Sequence, residues 1–170
     1  AESFSPVERL CYTGRRAMGA LEFEPAVVGA LDESVPVEVG ALVVLARTML
    51  ESRTELQANL ETETSEALLD IIRVGTSAGG GRPKAVVAVN DATGEERSGQ
   101  VEAPAGFDHW ILKFDGVRDS QLGEPAGYGR IEYAYHLMAA ACGIEMTPCR
   151  LLEESDRAHF MTRRFDRPGG

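Results

Sequence analysis

The residues best suited to chemistry begin in one glycine-rich stretch, Val74 to Lys84, which reads V-G-T-S-A-G-G-G-R-P-K. Gly75, Ala78, Gly79, Gly80 and Gly81 carry nothing beyond a methyl, so the backbone there can come close to a ligand and adopt positive φ. Thr76 and Ser77 place hydroxyls before the glycines, Lys84 places a cation after them, and the β-branched run Ala85 to Val89 follows. That order suits a cradle of backbone N–H groups for an anion, phosphate first among them. A flexible linker between two domains would be just as rich in glycine.

The basic residues sharpen this choice. Fifteen of the seventeen are Arg and only two are Lys, at 84 and 113. Lys is a compact point charge suited to reaching a phosphate, whereas Arg is a planar fork. From His109 to Phe114 the residues alternate, with Trp110, Leu112 and Phe114 facing one way and Ile111 and Lys113 the other. Lys113 therefore sits mid-strand. Arg130 to Cys142 reads as a helix whose apolar stripe is Ile131, Ala134, Tyr135, Met138, Ala141 and Cys142, which puts Glu132 at the edge of the buried face. ATP phosphates want backbone donors and a cation, the cation wants a carboxylate, and adenine wants an apolar slot beside free backbone groups. Lys113, Glu132 and the segment Phe160 to Phe165 could supply these three. Taken singly, a mid-strand Lys is usually solvated and an edge Glu more so; their order is the argument.

These groups need elements to hold them. Leu10 to Tyr12 and Ala20 to Phe23 are short apolar runs that fit a hairpin. Beyond Gly40, Leu42, Leu45, Ala46, Met49 and Leu50 recur at helical spacing, and Thr62 to Arg73 gives a second helix. After the glycine stretch come a strand to Asn90, a polar turn region from Asp91 to Gly106, the strand bearing Lys113, a long loop from Asp115 to Gly129 and the helix, which Gly143 ends at C′. Arg150 to Glu153 and His159 to Thr162 then pair about a turn at Ser155-Asp156. The second half reads β-loop-β-α-β-β, the plan of a protein-kinase amino-terminal lobe.

Composition narrows the class. A net charge of -10, with basic residues clustered only at Arg163, Arg164 and Arg167, disfavours direct nucleic-acid binding. That cluster reads as a solvated or hinge-lining stretch sooner than a contact for an acidic partner. Cys11, Cys142 and Cys149 form no CxxC pair and are expected to be reduced thiols in a cytoplasmic protein. No run reaches membrane-spanning length, and His109, His136 and His159 lack metal-ligand spacing, so neither a membrane nor a metal is expected. Thirteen acids and six bases precede residue 74, against fourteen and eleven after it. The expected division is 1–73, a small subdomain with helices, and 74–170, a kinase-like lobe. The chain opens on Ala1 and closes at Pro168-Gly169-Gly170, and both ends are expected to be cuts.

Five segments, G-R-R-A-M-G-A-L-E-F-E-P (14 to 25), T-S-A-G-G-G-R-P-K (76 to 84), H-W-I-L-K-F-D (109 to 115), I-E-Y-A-Y-H-L-M (131 to 138) and F-M-T-R-R-F-D-R (160 to 167), resemble HipA-family proteins, the serine/threonine-kinase toxins of bacterial toxin-antitoxin pairs. The resemblance implies an amino-terminal portion of such a kinase, α+β in class, with an antiparallel sheet and one packed helix. Ser77, Ala78, Gly79, Gly80, Gly81 and Lys84 would form the phosphate loop, and Ser77 would be the serine whose autophosphorylation silences the kinase, since the added negative charge repels ATP phosphates. Lys113 would bind those phosphates with Glu132 as its helix partner, and Arg163 and Phe165 would border adenine. Gly81-Arg82-Pro83 replaces Ala-Gln-x of many relatives, and Arg163 replaces an acidic hinge residue.

The implied cofactors are ATP and Mg²⁺, and the implied partner is a DNA-binding antitoxin of HipB type. After Arg150 the carboxylates are Glu153, Glu154, Asp156 and Asp166, none in an H-R-D or D-F-G-like setting. No catalytic Asp is therefore expected in these residues, and the chain alone should not transfer phosphate. Two other readings stand beside this one: a non-catalytic interaction module that binds an antitoxin or a separate kinase lobe, and an unrelated nucleotide-binding regulator.

Overall fold

A computed structural model describes residues 5–27, 33–44, 84–116, 127–154 and 157–167. The chain is α+β, and its second half is a five-stranded sheet in the order β2-β1-β3-β5-β4, with every neighbouring pair antiparallel. The strands are β1 (Lys84–Asn90), β2 (Glu95–Ser98), β3 (Asp108–Lys113), β4 (Cys149–Glu154) and β5 (Arg157–Arg163). Helix α2 (Tyr128–Ala141) falls between β3 and β4 and packs on β4 and β5.

The inner strand β1 is a near-continuous apolar run, Ala85 to Val89, with both faces buried, as expected of a strand covered on two sides. One face meets the core: Val87, Trp110, Leu112, Phe114 and Met161 pack against Val39, Leu42 and Val43. Residues 39–44 are helical, so the apolar spacing after Gly40 is realised as far as the described residues go. Leu45, Ala46, Met49 and Leu50, the expected helix from Thr62 to Arg73 and the expected glycine loop lie outside the described residues. The alternation expected of β3 is observed: Trp110, Leu112 and Phe114 are buried, while Lys113 keeps 31% of its side chain exposed.

Three expectations are corrected. The amino-terminal hairpin is instead a helix, α1 (Pro6–Thr13), followed by a single 3-10 turn. Its start is a capping box: Ser5 Oγ accepts from the Glu8 N–H and Glu8 Oε2 accepts from the Ser5 N–H. Pro6 fits the first helical turn because its missing N–H is not needed there. The polar region from Asp91 to Gly106 contains strand β2, reached through a turn in which Asn90 Oδ1 accepts from the N–H groups of Ala92 and Thr93 and Gly94 takes φ 74°. The third correction concerns α2. Its expected buried stripe faces outward, with Ile131, Tyr135 and Met138 each about half exposed or more, while Glu132, Tyr133 and His136 are turned towards the protein. An apolar majority on every side of this helix removed the contrast on which a stripe depends.

The carboxy-terminal stop of α2 is as expected. Gly143 takes φ 79°, its N–H donates to the Ala140 carbonyl, and the Ile144 N–H donates to the Ala139 carbonyl. These two bonds form a Schellman motif.

Candidate functional site

The register of β1 and β3 places Lys84 directly opposite Lys113, and opposed residues on antiparallel neighbours point to the same face. The two lysines of the chain are therefore side by side, on the face opposite Leu112 and Phe114. Like charges directly across a strand pair repel, so the arrangement calls for negative charge. Glu132 supplies part of it: its Oε2 lies 2.5 Å from Lys113 Nζ, with 31% of the lysine and 30% of the glutamate side chain exposed. Phe160, which is paired with Lys113 across β3 and β5, puts its ring 5.4 Å from the ammonium, a cation–π contact that steadies the charge from beneath.

Glu132 reaches this point because α2 comes down on β5 at Gly129. A Cβ on Gly129 would lie 1.8 Å from the carbonyl oxygen of Ala158, so only glycine allows the approach. Glu132 follows three residues later, on the same side of the helix. The helix starts at Tyr128, two residues before its expected start. Gly127 has no side chain with which to cap it, and Asp115 Oδ1 accepts from the Tyr128 N–H at 3.2 Å instead.

Lys84, Lys113 and Glu132 are brought together. Ser77, Ala78, Gly79, Gly80 and Gly81 lie outside the described residues. Arg163 is three positions from Phe160 on β5, so its side chain emerges on the other face from Lys113, where it pairs with Asp108 Oδ1 at 2.5 Å. Phe165 is 83% exposed just beyond β5.

Each member of the arginine cluster at the exit of β5 has a carboxylate within the chain, though the Arg163 side chain stays 41% exposed. Arg164 is buried and grips Asp166 with two bonds, Nε to Oδ1 at 2.9 Å and Nη2 to Oδ2 at 2.6 Å. That guanidinium holds the Asp166 carboxyl below the usual carboxylate range, against a smaller opposing effect of burial. Arg167 pairs with Glu22 at 2.6 Å, and Arg15 stands 3.9 Å from the same carboxylate. Arg15, Glu22, His109, Asp166 and Arg167 with the backbone from Gly99 to Glu102 line a cavity of about 460 Å³. His109 is buried there with its Nδ1 at 2.9 Å from the Gly99 carbonyl, and four strand residues, about 13 Å, separate it from Lys113. Sequence reasoning gave no role to Asp115, His159 or the Arg164–Asp166 pair, and it set Phe160 in the adenine segment rather than against Lys113. The R-F-D spacing of 164 to 166 was the local signal of that pair alone.

Residues 76–169 match the family model of the HipA-like C-terminal domain. The chain belongs to the HipA family. The family expected from the five segments is thus the one found, and the match opens at residue 76, inside the glycine-rich stretch. The matched domain is described as carboxy-terminal, whereas the segments were read as an amino-terminal portion, so the expected place in the family is met only in part. No curated protein and no solved structure gave a significant match. No helix among the described residues is long and apolar enough to cross a membrane.

Proposed function

We propose that this HipA-family chain supplies the phosphate-binding part of a serine/threonine protein kinase. The observation that carries the proposal is the pair of lysines, 84 and 113, opposed on one sheet face with Glu132 on Lys113. Two ammonium groups brought side by side have charge complementary to the triphosphate of ATP. In this reading Lys113 binds the phosphates, Glu132 holds Lys113 in place, and Ser77 to Gly81 with Lys84 cradle the phosphates through backbone N–H groups. Bound ATP supplies the phosphoryl group, with Mg²⁺ offsetting its charge. Phe165 borders adenine, and Arg163 contributes there through its main chain, because its side chain is held by Asp108. Ser77 is the regulatory phosphorylation site, and a DNA-binding antitoxin of HipB type is the partner. The Asp that orients the acceptor hydroxyl and the Mg²⁺ ligands come from outside these residues, since Asp166 is committed to Arg164. The cellular setting is cytoplasmic.

The test is ATP–Mg²⁺ binding by calorimetry to this chain and to one extended through the following reading frame, each with and without Lys113→Ala. A charged hydrogen bond contributes about 1.5–3 kcal/mol, so the substitution should weaken ATP by roughly tenfold to a hundredfold and abolish phosphorylation in the extended protein. Unchanged affinity in Lys113→Ala would remove Lys113 from the site. The second reading, a non-catalytic interaction module, draws on the outward apolar face of α2 at Ile131, Tyr135 and Met138; it takes the lead if neither chain binds ATP.

A further inference from the structure

We infer that Asp115 is a positioning residue for the Lys113–Glu132 pair, acting through the start of α2 and held by His159; the inference rests on the phosphate-site reading above. Asp115 stands two residues after Lys113, and the Tyr128 N–H that its carboxylate accepts lies four residues, about one helical turn, before Glu132. One buried side chain is thus tied by covalent bonds to one member of the ion pair and by a hydrogen bond to the helix that bears the other. Helix α2 has much need of such a tie. Gly127 offers no cap, the first turn holds no acidic residue, and Gly129 is the one buried residue of the helix. A carboxylate at this end also meets the positive end of the helix dipole.

Asp115 is itself fixed. It is 5% exposed, and its backbone N–H donates to His159 Nδ1 at 2.9 Å. Receiving that bond requires a lone pair on Nδ1, so the ring proton is on Nε2, where Glu154 Oε2 accepts it at 3.3 Å. His159 has no exposed surface and packs edge-on against Phe114 at 5.9 Å between ring centroids. A polar ring in the sheet is costly unless satisfied, and both nitrogens here are satisfied, one of them by the residue that caps α2.

The chain's two lysines make the test clean. In a spectrum of ¹⁵N-labelled lysine only two side-chain ammonium signals arise, and ion pairing slows proton exchange enough to reveal the Lys113 signal. Asp115→Ala should lose the Lys113 signal and keep that of Lys84, whereas Asp115→Asn, whose amide oxygen still accepts from Tyr128, should restore it. A merely structural cap would lower the melting temperature of Asp115→Ala and leave the Lys113 signal in place, which overturns the inference, as does a signal lost equally in the Asn variant. If Asp115→Ala fails to fold, His159→Phe keeps a ring beside Phe114 and removes both the acceptor for the Asp115 N–H and the donor to Glu154, and it too should lose the Lys113 signal; an unchanged signal there overturns the inference. No nucleotide is added, so the outcome is independent of whether ATP binds, which the Lys113→Ala calorimetry decides separately.

Discussion

The two ends of β3 carry cation–carboxylate pairs built in opposite ways. At the His109 end, Arg164 is 1% exposed and Asp166 14% exposed, and two parallel bonds use both carboxylate oxygens. At the other end, Lys113 and Glu132 share one contact and each keeps about a third of its side chain in water. The first pair is closed: its charges are spent on each other, and the gain is a fixed chain exit. The second is open, because among the described residues the ammonium has donors beyond the one given to Glu132 and has Lys84 as its neighbour. A pair meant only to hold the fold gains from closure, while one meant to meet a ligand must keep hydrogen-bonding capacity. This difference marks the exit arginines as structural and is the contrast that the proposed binding role of the lysines draws on.

The closed end should break hardest. Arg164→Ala leaves the Asp166 carboxylate without its partner in a mostly buried place, and removal of one member of a buried pair costs about 3 kcal/mol or more. Urea unfolding should show that loss, and Arg163→Ala, which breaks a pair 41% and 33% exposed, should show well under about 1 kcal/mol. Equal losses would erase the distinction between closed and open pairs. At the open end the matching test is Gly129→Ala. Alanine favours a helix by about 1 kcal/mol over glycine, but its Cβ would meet the Ala158 carbonyl at 1.8 Å, and overpacking of this kind costs about 3 kcal/mol. The net is a loss of about 2 kcal/mol, with α2 lifted from β5 and Glu132 drawn off Lys113. A variant as stable as the parent would mean that α2 does not sit as closely as described.

How much of this was legible depends on the kind of signal. Strands β1 and β3 were readable because burial on two faces and strict alternation leave direct marks, and Gly143 marked the end of α2. The capping box at Ser5 and Glu8 was also present to be read, but the short apolar runs on either side of the G-R-R-A-M-G segment drew attention to a hairpin. The face of α2 could not be found from apolar spacing, since Ile131, Tyr135, Leu137 and Met138 are turned outward and the contact is made by Gly129 and Glu132. The scarcity of lysine pointed to both lysines of the candidate site; that they stand opposite each other is a matter of register, which only pairing reveals. Asp115 and His159 are 44 residues apart, and no local pattern links them.

The smallest expected effect sharpens the closed end further. His109 lies against it: the Arg164 N–H donates to the His109 carbonyl, and the imidazole Nδ1 donates to Gly99. Burial holds its pKa below the usual 6.5, with Arg164 and Arg167 adding in the same direction against the Gly99 bond and Asp108. A histidine depressed in the folded state is protonated first in the unfolded state. Its contribution to stability is therefore present above the unfolded value near 6.5 and is lost as pH falls from there towards the folded value. His109→Asn keeps an N–H near the position of Nδ1 and removes the titration, so the fall in stability between pH 7 and the acid side of 6.5 should be shallower in the variant. Denaturant midpoints collected across that range decide it. Parallel profiles would show that His109 takes up its proton over the same range in both states, and that the closed end excludes charge less strictly than its burial requires.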